Sequence, residues 1–251
     1  MSFWLSLTSL FPLISCSGEI SQTPTSDEGS ALIEHTQWND LVKKYVAVDG
    51  VVDYRGFQRD SLKLNAYLDL LTNHPPAIDW PHNDKLAYWI NTYNAFTVKV
   101  IVDHYPLKSI RELHTLPGIA TVWHRKFFNI GDGPMSLNYI EHKILRLEFN
   151  EPRIHFAINC ASKSCPVLRN EAYSSEKLES QLTDQARAFL QHPFRNKISA
   201  EAVQLSRIFK WFKKDFVKQS TLIEFLNQYA PVEIQADAQI SYIDYDWTLN
   251  E

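Results

Sequence analysis

The sequence has little cysteine, little glycine and no surplus of basic residues. Its 251 residues include three cysteines and seven glycines, too few for the disulfide framework of a small secreted scaffold or for a glycine-based repeat. With 25 Lys and Arg against 29 Asp and Glu, the net charge is -4, so no basic field exists to hold a polyanion, and we expect no nucleic-acid partner. What is present, 45% hydrophobic and 13% aromatic residues, is typical of a soluble globular domain with a substantial core.

The N-terminus lacks charge. Met1 to Ser15 contains no charged side chain, and the first basic residue of the chain is Lys43. This apolar run is shorter than the roughly 20 residues that a membrane-spanning helix needs, and it suits the hydrophobic region of a signal peptide. Leu13-Ile14-Ser15-Cys16 resembles the lipobox of bacterial lipoproteins. We therefore expect Cys16 to be lipidated and to anchor the protein to a membrane of the cell envelope, facing the periplasm.

The stretch after Cys16 is rich in Ser, Thr, Gly, Pro and acidic residues and cannot support a core. The expected organisation is a signal peptide over residues 1–16, a flexible tether over 17–34 and a globular domain over 35–251. The alternative is a buried N-terminal helix with an incidental cysteine in a cytoplasmic protein, because signal peptides normally begin with a basic residue.

Apolar spacing from His35 onward predicts several helices. Their buried faces should carry Trp38, Leu41, Val42 and Tyr45; Leu64, Tyr67, Leu68 and Leu71; Tyr139, Ile140, Ile144 and Leu145; and Leu178, Leu182, Ala186 and Phe189. Further helices are expected over Ile208 to Phe216 and Thr221 to Tyr229, and extended segments over Arg125 to Ile130, Arg153 to Asn159, Ala202 to Leu205 and Gln239 to Asp246. This mixture predicts an α+β fold, a single domain with a small sheet packed by several helices.

The longest apolar segment, Lys85 to Tyr105, should form the central helix and end before Pro106. It carries Asn91 and Asn94 three residues apart, on neighbouring turns of one face. Buried amides must find hydrogen-bond partners or lose a few kcal/mol each, so these two bond something specific. They either anchor a loop or serve a catalytic group.

The stretch Asn159-Cys160-Ala161-Ser162-Lys163-Ser164-Cys165-Pro166 is the most suggestive chemically. A thiol presented at the end of an extended segment is a common arrangement for a nucleophile. His155 should lie roughly 16 Å from Cys160 on the opposite face of a strand, which leaves His142 as the expected base. Because Glu141 diverges from its neighbour by about 100° on a helix, Asn91 or Asn94 is an equally good orienter of that histidine.

Two other interpretations of this stretch stay open. Cys160 and Cys165 would form a loop-closing disulfide in an oxidising compartment. A metal site is poorly supported, because the C-x4-C spacing is not that of structural zinc sites. We expect no metal and no cofactor.

Several blocks of the chain together resemble the bacterial DUF547 family. They are Leu86 to Asn91 with Tyr93 to Ala95, Ile140 to His142 with Ile144 to Arg146, His155 to Pro166, and Tyr245 to Trp247 with Leu249 and Asn250. The resemblance implies that the Asn91 and Asn94 helix, Glu141 with His142, and the Cys160 loop form the shared centre of the fold. Some members carry serine where this chain has Cys165, which favours Cys160 as the chemical residue. The family name supplies no activity.

Two functions follow as hypotheses. In the first, the protein is a thiol-dependent hydrolase or acyl transferase whose cysteine-hydrolase-like core acts on a peptide, ester or amide. Cys160 attacks a carbonyl and His142 accepts the thiol proton. Asn91, Asn94 or Glu141 positions the imidazole, and loop amides after Cys160 bind the oxyanion. In the second, the protein is a non-catalytic envelope component whose polar centre stabilises the fold while an aromatic surface binds a peptide, a glycan or a partner protein.

Overall fold

The computed structural model describes Met1, residues 31–115 and residues 121–251. The signal peptide and most of the tether expected from the sequence lie outside the described residues. The fold is α+β, as predicted: helices surround a two-stranded and a three-stranded sheet in one compact domain. In the part of the chain that the structure describes, no helix is both long enough and apolar enough to cross a membrane.

The first half of the domain is helical. It comprises α1 (Thr36–Tyr45), α2 (Tyr54–Arg59), α3 (Ser61–Asn73) and α4 (His82–His104). The apolar faces predicted for α1 and α3 are buried, as expected. The central helix α4 ends at the turn that carries Pro106, and most of its apolar stripe is buried, although Trp89 is only half-buried. Two 3-10 turns, Ile110–Leu113 and Val122–His124, follow.

A hairpin leads from these helices to the functional region. Strands β1 (Phe128–Ile130) and β2 (Gly133–Met135) pair antiparallel around Gly131, whose φ of +56° suits glycine. Ser136 then accepts a hydrogen bond from the amide of Tyr139 at 3.2 Å and so caps the helix that follows. The expected helix consists of α5 (Leu137–Tyr139), a π-helical segment (Ile140–Leu145) and α6 (Arg146–Glu148). Tyr139 was expected on its buried side but is 50% exposed.

The prediction of an extended segment over Arg153 to Asn159 is wrong. Ile154–Ala157 forms a short helix, α7, that opens with a turn from Pro152: the amide of His155 donates to the Pro152 carbonyl at 3.3 Å. Proline suits a first helical turn. A short, wholly buried apolar run has no period that separates strand from helix, which is why its sequence was misleading.

The second half packs around a smaller core. It contains α8 (Leu178–Gln191), β3 (Lys197–Ile198), β4 (Ala202–Leu205), α9 (Ile208–Trp211), α10 (Lys213–Phe216), α11 (Leu222–Asn227) and β5 (Gln239–Tyr242). Strand β4 pairs antiparallel with β3 and parallel with β5. The helix expected over Ile208 to Phe216 is broken at Phe212 into α9 and α10.

Helix α7 joins the two cores. Ile154 and Ala157 belong to the larger apolar cluster around α4, whereas Phe156 between them packs in the smaller cluster against Phe189 and Phe216. The segment that follows α7 and carries Cys160 is therefore held where both cores meet.

Gly56 on α2 gives a stability prediction. A Cβ atom there would lie 2.2 Å from Cδ1 of Tyr45 and 2.5 Å from Oδ2 of Asp53, inside van der Waals contact. Gly56→Ala should lower the free energy of unfolding by about 1–3 kcal/mol, although alanine is the better helix former by about 1 kcal/mol. Gly133→Ala is the matched control, since its Cβ would meet its nearest neighbour, the Ile130 carbonyl oxygen, at 3.7 Å. Urea unfolding of both variants measures the difference, and a Gly56→Ala protein as stable as the wild type would contradict the packing.

Candidate active site

Cys160 sits in a small cluster of polar atoms. Its Sγ lies 3.3 Å from the Ser162 hydroxyl and 3.3 Å from the Tyr245 hydroxyl, and these two hydroxyls are themselves 3.3 Å apart. Cys160 is partly exposed, whereas Cys165 is 3% exposed. The thiol is thus accessible and is in contact with two hydroxyl groups that can donate to a thiolate.

The C-terminal segment after β5 holds this arrangement in place. The amide of Lys163 donates to the Thr248 carbonyl at 2.9 Å, and the amide of Asp246 donates to the Ser164 hydroxyl at 2.8 Å. A β-bridge between Ser162 and Leu249 extends the pairing. These bonds fix Tyr245 beside Cys160, although the two are 85 residues apart in the chain.

The two thiols of the loop are both free. The disulfide considered from the sequence is therefore not formed in this structure. Instead, the Cys160 amide donates to the Cys165 Sγ at 2.8 Å, and that thiol faces the Ile158 carbonyl at 3.9 Å. Cys165 is in direct contact with the residue that carries the accessible thiol.

The surroundings of Cys160 favour its thiolate. Burial raises the pKa of the Cys160 thiol, but hydrogen bonds from Cys165, Ser162 and Tyr245 outweigh this effect and lower the pKa from 9.0 to about 7. Burial and the neighbouring thiols raise the pKa of Tyr245 well above its usual value, so its hydroxyl keeps the proton that it donates. A thiol with a lowered pKa is the usual property of a cysteine nucleophile.

Glu141 also lies in this region. The Tyr93 hydroxyl on α4 donates to its Oε2 at 3.2 Å. Burial, and next the charge of Cys160, raise the pKa of the Glu141 carboxyl from 4.5 to about 7. A carboxyl group with a pKa near neutrality is suited to accept and return a proton, and Glu141 lines the same cavity as Cys160.

His142 is held as a neutral ring by Arg146. The Nη1 atom of Arg146 lies 2.6 Å from the His142 Nδ1. Because guanidinium only donates, Nδ1 must accept and the neutral ring carries its proton on Nε2. Burial, and next the charge of Arg146, lower the pKa of His142 to about 4. With this tautomer His142 presents an N–H donor, which differs from the expectation that it accepts the thiol proton.

Arg146 is itself positioned by residues that the sequence analysis did not select. Its Nε donates to Asp215 Oδ2 at 2.6 Å, and His155 Nε2 bonds the same oxygen at 2.9 Å. Burial raises the pKa of the Asp215 carboxyl, but these two hydrogen bonds outweigh it and hold the pKa below its usual range. Phe212 stacks on His155 with ring centres 4.1 Å apart.

The sequence contains only weak indications that Asp215 and His155 belong to the site. Asp215 is the one acid in the aromatic and basic stretch Ile208 to Phe216, and a lone acid there needs a partner. A strand over the segment of His155 would place this histidine far from Cys160. On α7 it instead lines the same cavity as Cys160.

The two asparagines of α4 bind backbone. Asn91 donates to the Tyr173 carbonyl at 2.8 Å and accepts from the Tyr173 amide at 3.0 Å. Asn94 donates to the Ala157 carbonyl at 2.9 Å and accepts from the Asn159 amide at 2.8 Å. Their amide groups are thus engaged with backbone and not with the His142 ring. This matches the loop-anchor alternative.

A cavity of about 200 Å³ brings these groups together. Cys160, Glu141, His142 and His155 line it, and its walls are aromatic: Tyr93, Trp123, Trp211, Phe212, Tyr245 and Trp247. Trp211 is 46% exposed at the surface. A few polar groups converging in an apolar pocket are the general form of a small-molecule site. Among the described residues, no group of three or more His, Cys, Asp or Glu side chains is arranged to hold a metal ion.

The chain was compared with known proteins. A family model described as "Protein of unknown function, DUF547" matches residues 78–190. Residues 78–190 are a DUF547 domain. Searches of curated proteins and of solved structures found no match. The DUF547 match includes Asn91, Asn94, Glu141, His142 and Cys160.

The DUF547 match ends before two elements of the site. Asp215, which holds Arg146, and Tyr245, which contacts Cys160, both follow residue 190. The cavity is therefore built jointly by the DUF547 domain and the C-terminal part of the chain.

Four of the amides that follow Cys160 are hydrogen-bonded to other groups of the protein, and the Ser162 amide bonds Cys160 itself, which bears on the expected oxyanion site. The amide of Ala161 donates to the Asn159 side chain at 2.8 Å, and those of Lys163, Ser164 and Cys165 donate to backbone carbonyls at 2.9, 3.2 and 3.0 Å. An oxyanion in this cavity would instead meet side-chain donors of the walls, among them His142 and Tyr245.

The hydrogen bonds to Cys160 predict how it reacts with an alkylating probe. In the full chain carrying Cys16→Ser, modification of Cys160 by iodoacetamide should have its midpoint near pH 7, because only the thiolate reacts. Tyr245→Phe removes one donor and should move the midpoint upward by about one pH unit. Tyr242→Phe, which changes a tyrosine of β5, is the control and should leave it unchanged. Peptide mass spectrometry measures the modification, and an unperturbed midpoint near 8.5 for Cys160 would contradict the geometry.

Proposed function

We propose that this protein is a thiol-dependent hydrolase or acyl transferase with Cys160 as its nucleophile. The observation that carries the proposal is that a thiol with its pKa lowered to about 7 opens into the same cavity as a carboxyl with its pKa raised to about 7. Groups with matched pKa values near neutrality can exchange a proton at little cost, which is what nucleophilic catalysis at neutral pH requires.

The proposed reaction has two half-steps. Glu141 takes the proton of the Cys160 thiol, and the sulfur attacks the carbonyl carbon of the substrate. The negative charge that develops on the carbonyl oxygen is stabilised by the Nε2–H of His142 and the hydroxyl of Tyr245. Glu141 returns the proton to the leaving group as the acyl bond breaks. Water or another acceptor then releases the acyl group from sulfur by the reverse sequence.

The network behind His142 supports its role as a donor. His155 and Arg146 both bond Asp215, and Arg146 donates to His142 Nδ1. This chain of bonds keeps the imidazole neutral with its proton on Nε2. A neutral histidine donor is a known means of polarising a carbonyl. Arg146, Asp215 and His155 are thus positioning residues.

A second candidate function is a binding module without chemistry. The engaged amides of the Cys160 loop favour it, because most cysteine hydrolases use such amides to bind the oxyanion. In this case the aromatic walls, from Trp123 to Trp211 and Trp247, would bind a peptide, a glycan or an envelope protein partner.

Acylation by a small activated ester tests the proposal. With p-nitrophenyl acetate, the full-length protein carrying Cys16→Ser should gain an acetyl group on Cys160 and release p-nitrophenol over many turnovers. Cys160→Ser should lose both signals. Glu141→Gln should reduce turnover by a factor of about 10² to 10⁴, since the proton acceptor is gone. Glu148→Gln, an exposed acid of α6, is the matched control.

Two results would count against catalysis and favour the binding module. One is acetylation of Cys160 no faster than that of the urea-unfolded protein. The other is turnover that is the same in the Glu141→Gln variant as in the Glu148→Gln control.

We also propose that the protein is a lipoprotein of the cell envelope. The support is the Leu13 to Cys16 motif with its uncharged leader and polar tether. A lipoprotein with several acyl chains is held firmly on the membrane, whereas one chain binds only marginally.

Cell fractionation tests the anchor. In a bacterial host, the wild-type protein should sediment with membranes and Cys16→Ser should move to the soluble fraction. Ser17→Ala, next to the motif, should remain with membranes. Equal soluble amounts of the wild-type protein and Cys16→Ser would exclude lipidation at this residue.

A further inference from the structure

The loop from Asn159 to Pro166 is folded back on itself. Asn159 accepts from the amide of Ala161 at 2.8 Å and donates to the carbonyl of Pro166 at 2.7 Å, so its side chain links the beginning of the loop to its end. Ala161 has a φ of 60°, a conformation that residues other than glycine rarely adopt. The amide of Cys165 closes a turn onto the Ser162 carbonyl at 3.0 Å.

A buried arginine from another part of the chain stabilises this loop conformation. Arg195, at 8% exposure, donates to the Cys165 carbonyl at 2.7 Å and to the Lys163 carbonyl at 3.1 Å. The consequence of all these bonds is that Cys160 and Cys165 lie together at the neck of the loop. The Cys160 amide contacts the Cys165 sulfur at 2.8 Å, and both cysteines line the cavity.

The two thiols differ in a way that suits consecutive roles. Cys160 is partly exposed and has two hydroxyls within 3.3 Å of its sulfur. Cys165 is buried, and burial and the contact with Cys160 raise its pKa well above the usual value. An accessible thiolate beside a protonated thiol is the arrangement of an attacking and a resolving cysteine.

We propose that Cys160 is oxidised by hydroperoxides and that Cys165 resolves the product into an intramolecular disulfide. The thiolate of Cys160 attacks the terminal oxygen of the hydroperoxide, the O–O bond breaks, and the alkoxide leaves as an alcohol after taking a proton. Cys160 is then a sulfenic acid. The Cys165 sulfur attacks it, the S–S bond forms, and the oxygen leaves as water with the Cys165 proton. An external dithiol reverses the oxidation.

This reaction would have a consequence for the cavity. The Cys160 sulfur, which faces the cavity, is bonded to Cys165 in the disulfide, so the oxidised protein has no free thiolate there. It also protects Cys160 from irreversible oxidation to the sulfinic acid. The inference concerns only the two cysteines and their loop, and it stands whether or not the protein transfers acyl groups.

Trapping with dimedone, a reagent for sulfenic acids, tests the proposal. The full chain carrying Cys16→Ser is compared with the same chain carrying Cys165→Ser or Cys160→Ser, each reduced and then treated with one equivalent of hydrogen peroxide. The reference protein should lose two hydrogens in intact mass, regain them with dithiothreitol, and show little dimedone adduct. Cys165→Ser should accumulate at least about tenfold more adduct on Cys160, because the sulfenic acid is no longer resolved. Cys160→Ser should show neither product.

Folding of the variants is controlled separately. Serine can still accept the Cys160 amide that bonds the Cys165 sulfur, and Cys165→Ala serves as a second variant if Cys165→Ser unfolds, as judged by circular dichroism. Equal dimedone labelling in the reference protein and both Cys165 variants would overturn the proposal. So would a disulfide found only between two molecules, or conversion of Cys160 in the reference protein directly to the sulfinic acid.

Discussion

The arrangement of the site depends on one buried amide. Asn94 in the middle of α4 bonds the Ala157 carbonyl and the Asn159 amide, the backbone groups on either side of Ile158. Both groups are buried, and leaving either without a partner costs about 1–3 kcal/mol. These two bonds fasten the segment between α7 and the cysteine loop to the longest helix of the domain. The position of Cys160 relative to Glu141, on a different element, follows from that attachment.

Asn159 belongs to the same hydrogen-bond network as Asn94. Its amide bonds Asn94, its side chain closes the cysteine loop, and Asn250 donates to its Oδ1 at 3.4 Å. A row of buried amides thus connects the central helix, the loop and the C-terminal segment. Such networks fix one arrangement because each unsatisfied member is expensive. Their function here is to hold the segments that form the cavity in fixed positions, so that the aromatic side chains on its walls enclose it.

Electrostatics then differentiates the groups in the cavity. The ion pair of Arg146 and Asp215 contacts two histidines, His142 and His155, whose pKa values burial lowers. Within the described parts of the chain, no cation is in hydrogen-bonding contact with Cys160 or Glu141: two hydroxyls contact the thiol, and Tyr93 bonds the carboxyl. The result is a neutral imidazole beside two acids that titrate near neutrality, a combination suited to proton transfer.

Local patterns predicted those parts of the molecule that local physics decides. The buried faces of α1, α3 and α8 and the strand β4 follow from spacing within a few residues. The sequence also indicated that Asn91 and Asn94 are important, since an amide inside an apolar helix requires hydrogen-bond partners. The short helix α7 was not predicted, because a short buried apolar run has no distinguishing period. No spacing in the chain indicated the break at Phe212.

The sequence by itself determined the α+β class, the central helix with its amides and the loop that carries two thiols. Only the tertiary structure decided what surrounds them. Tyr245 reaches Cys160 across 85 residues, and Asp215 reaches His155 across 60. Contacts at such separations leave no periodic signal in the chain. The tertiary structure also decided which nitrogen of His142 is protonated, since this depends on the direction in which the Arg146 guanidinium points.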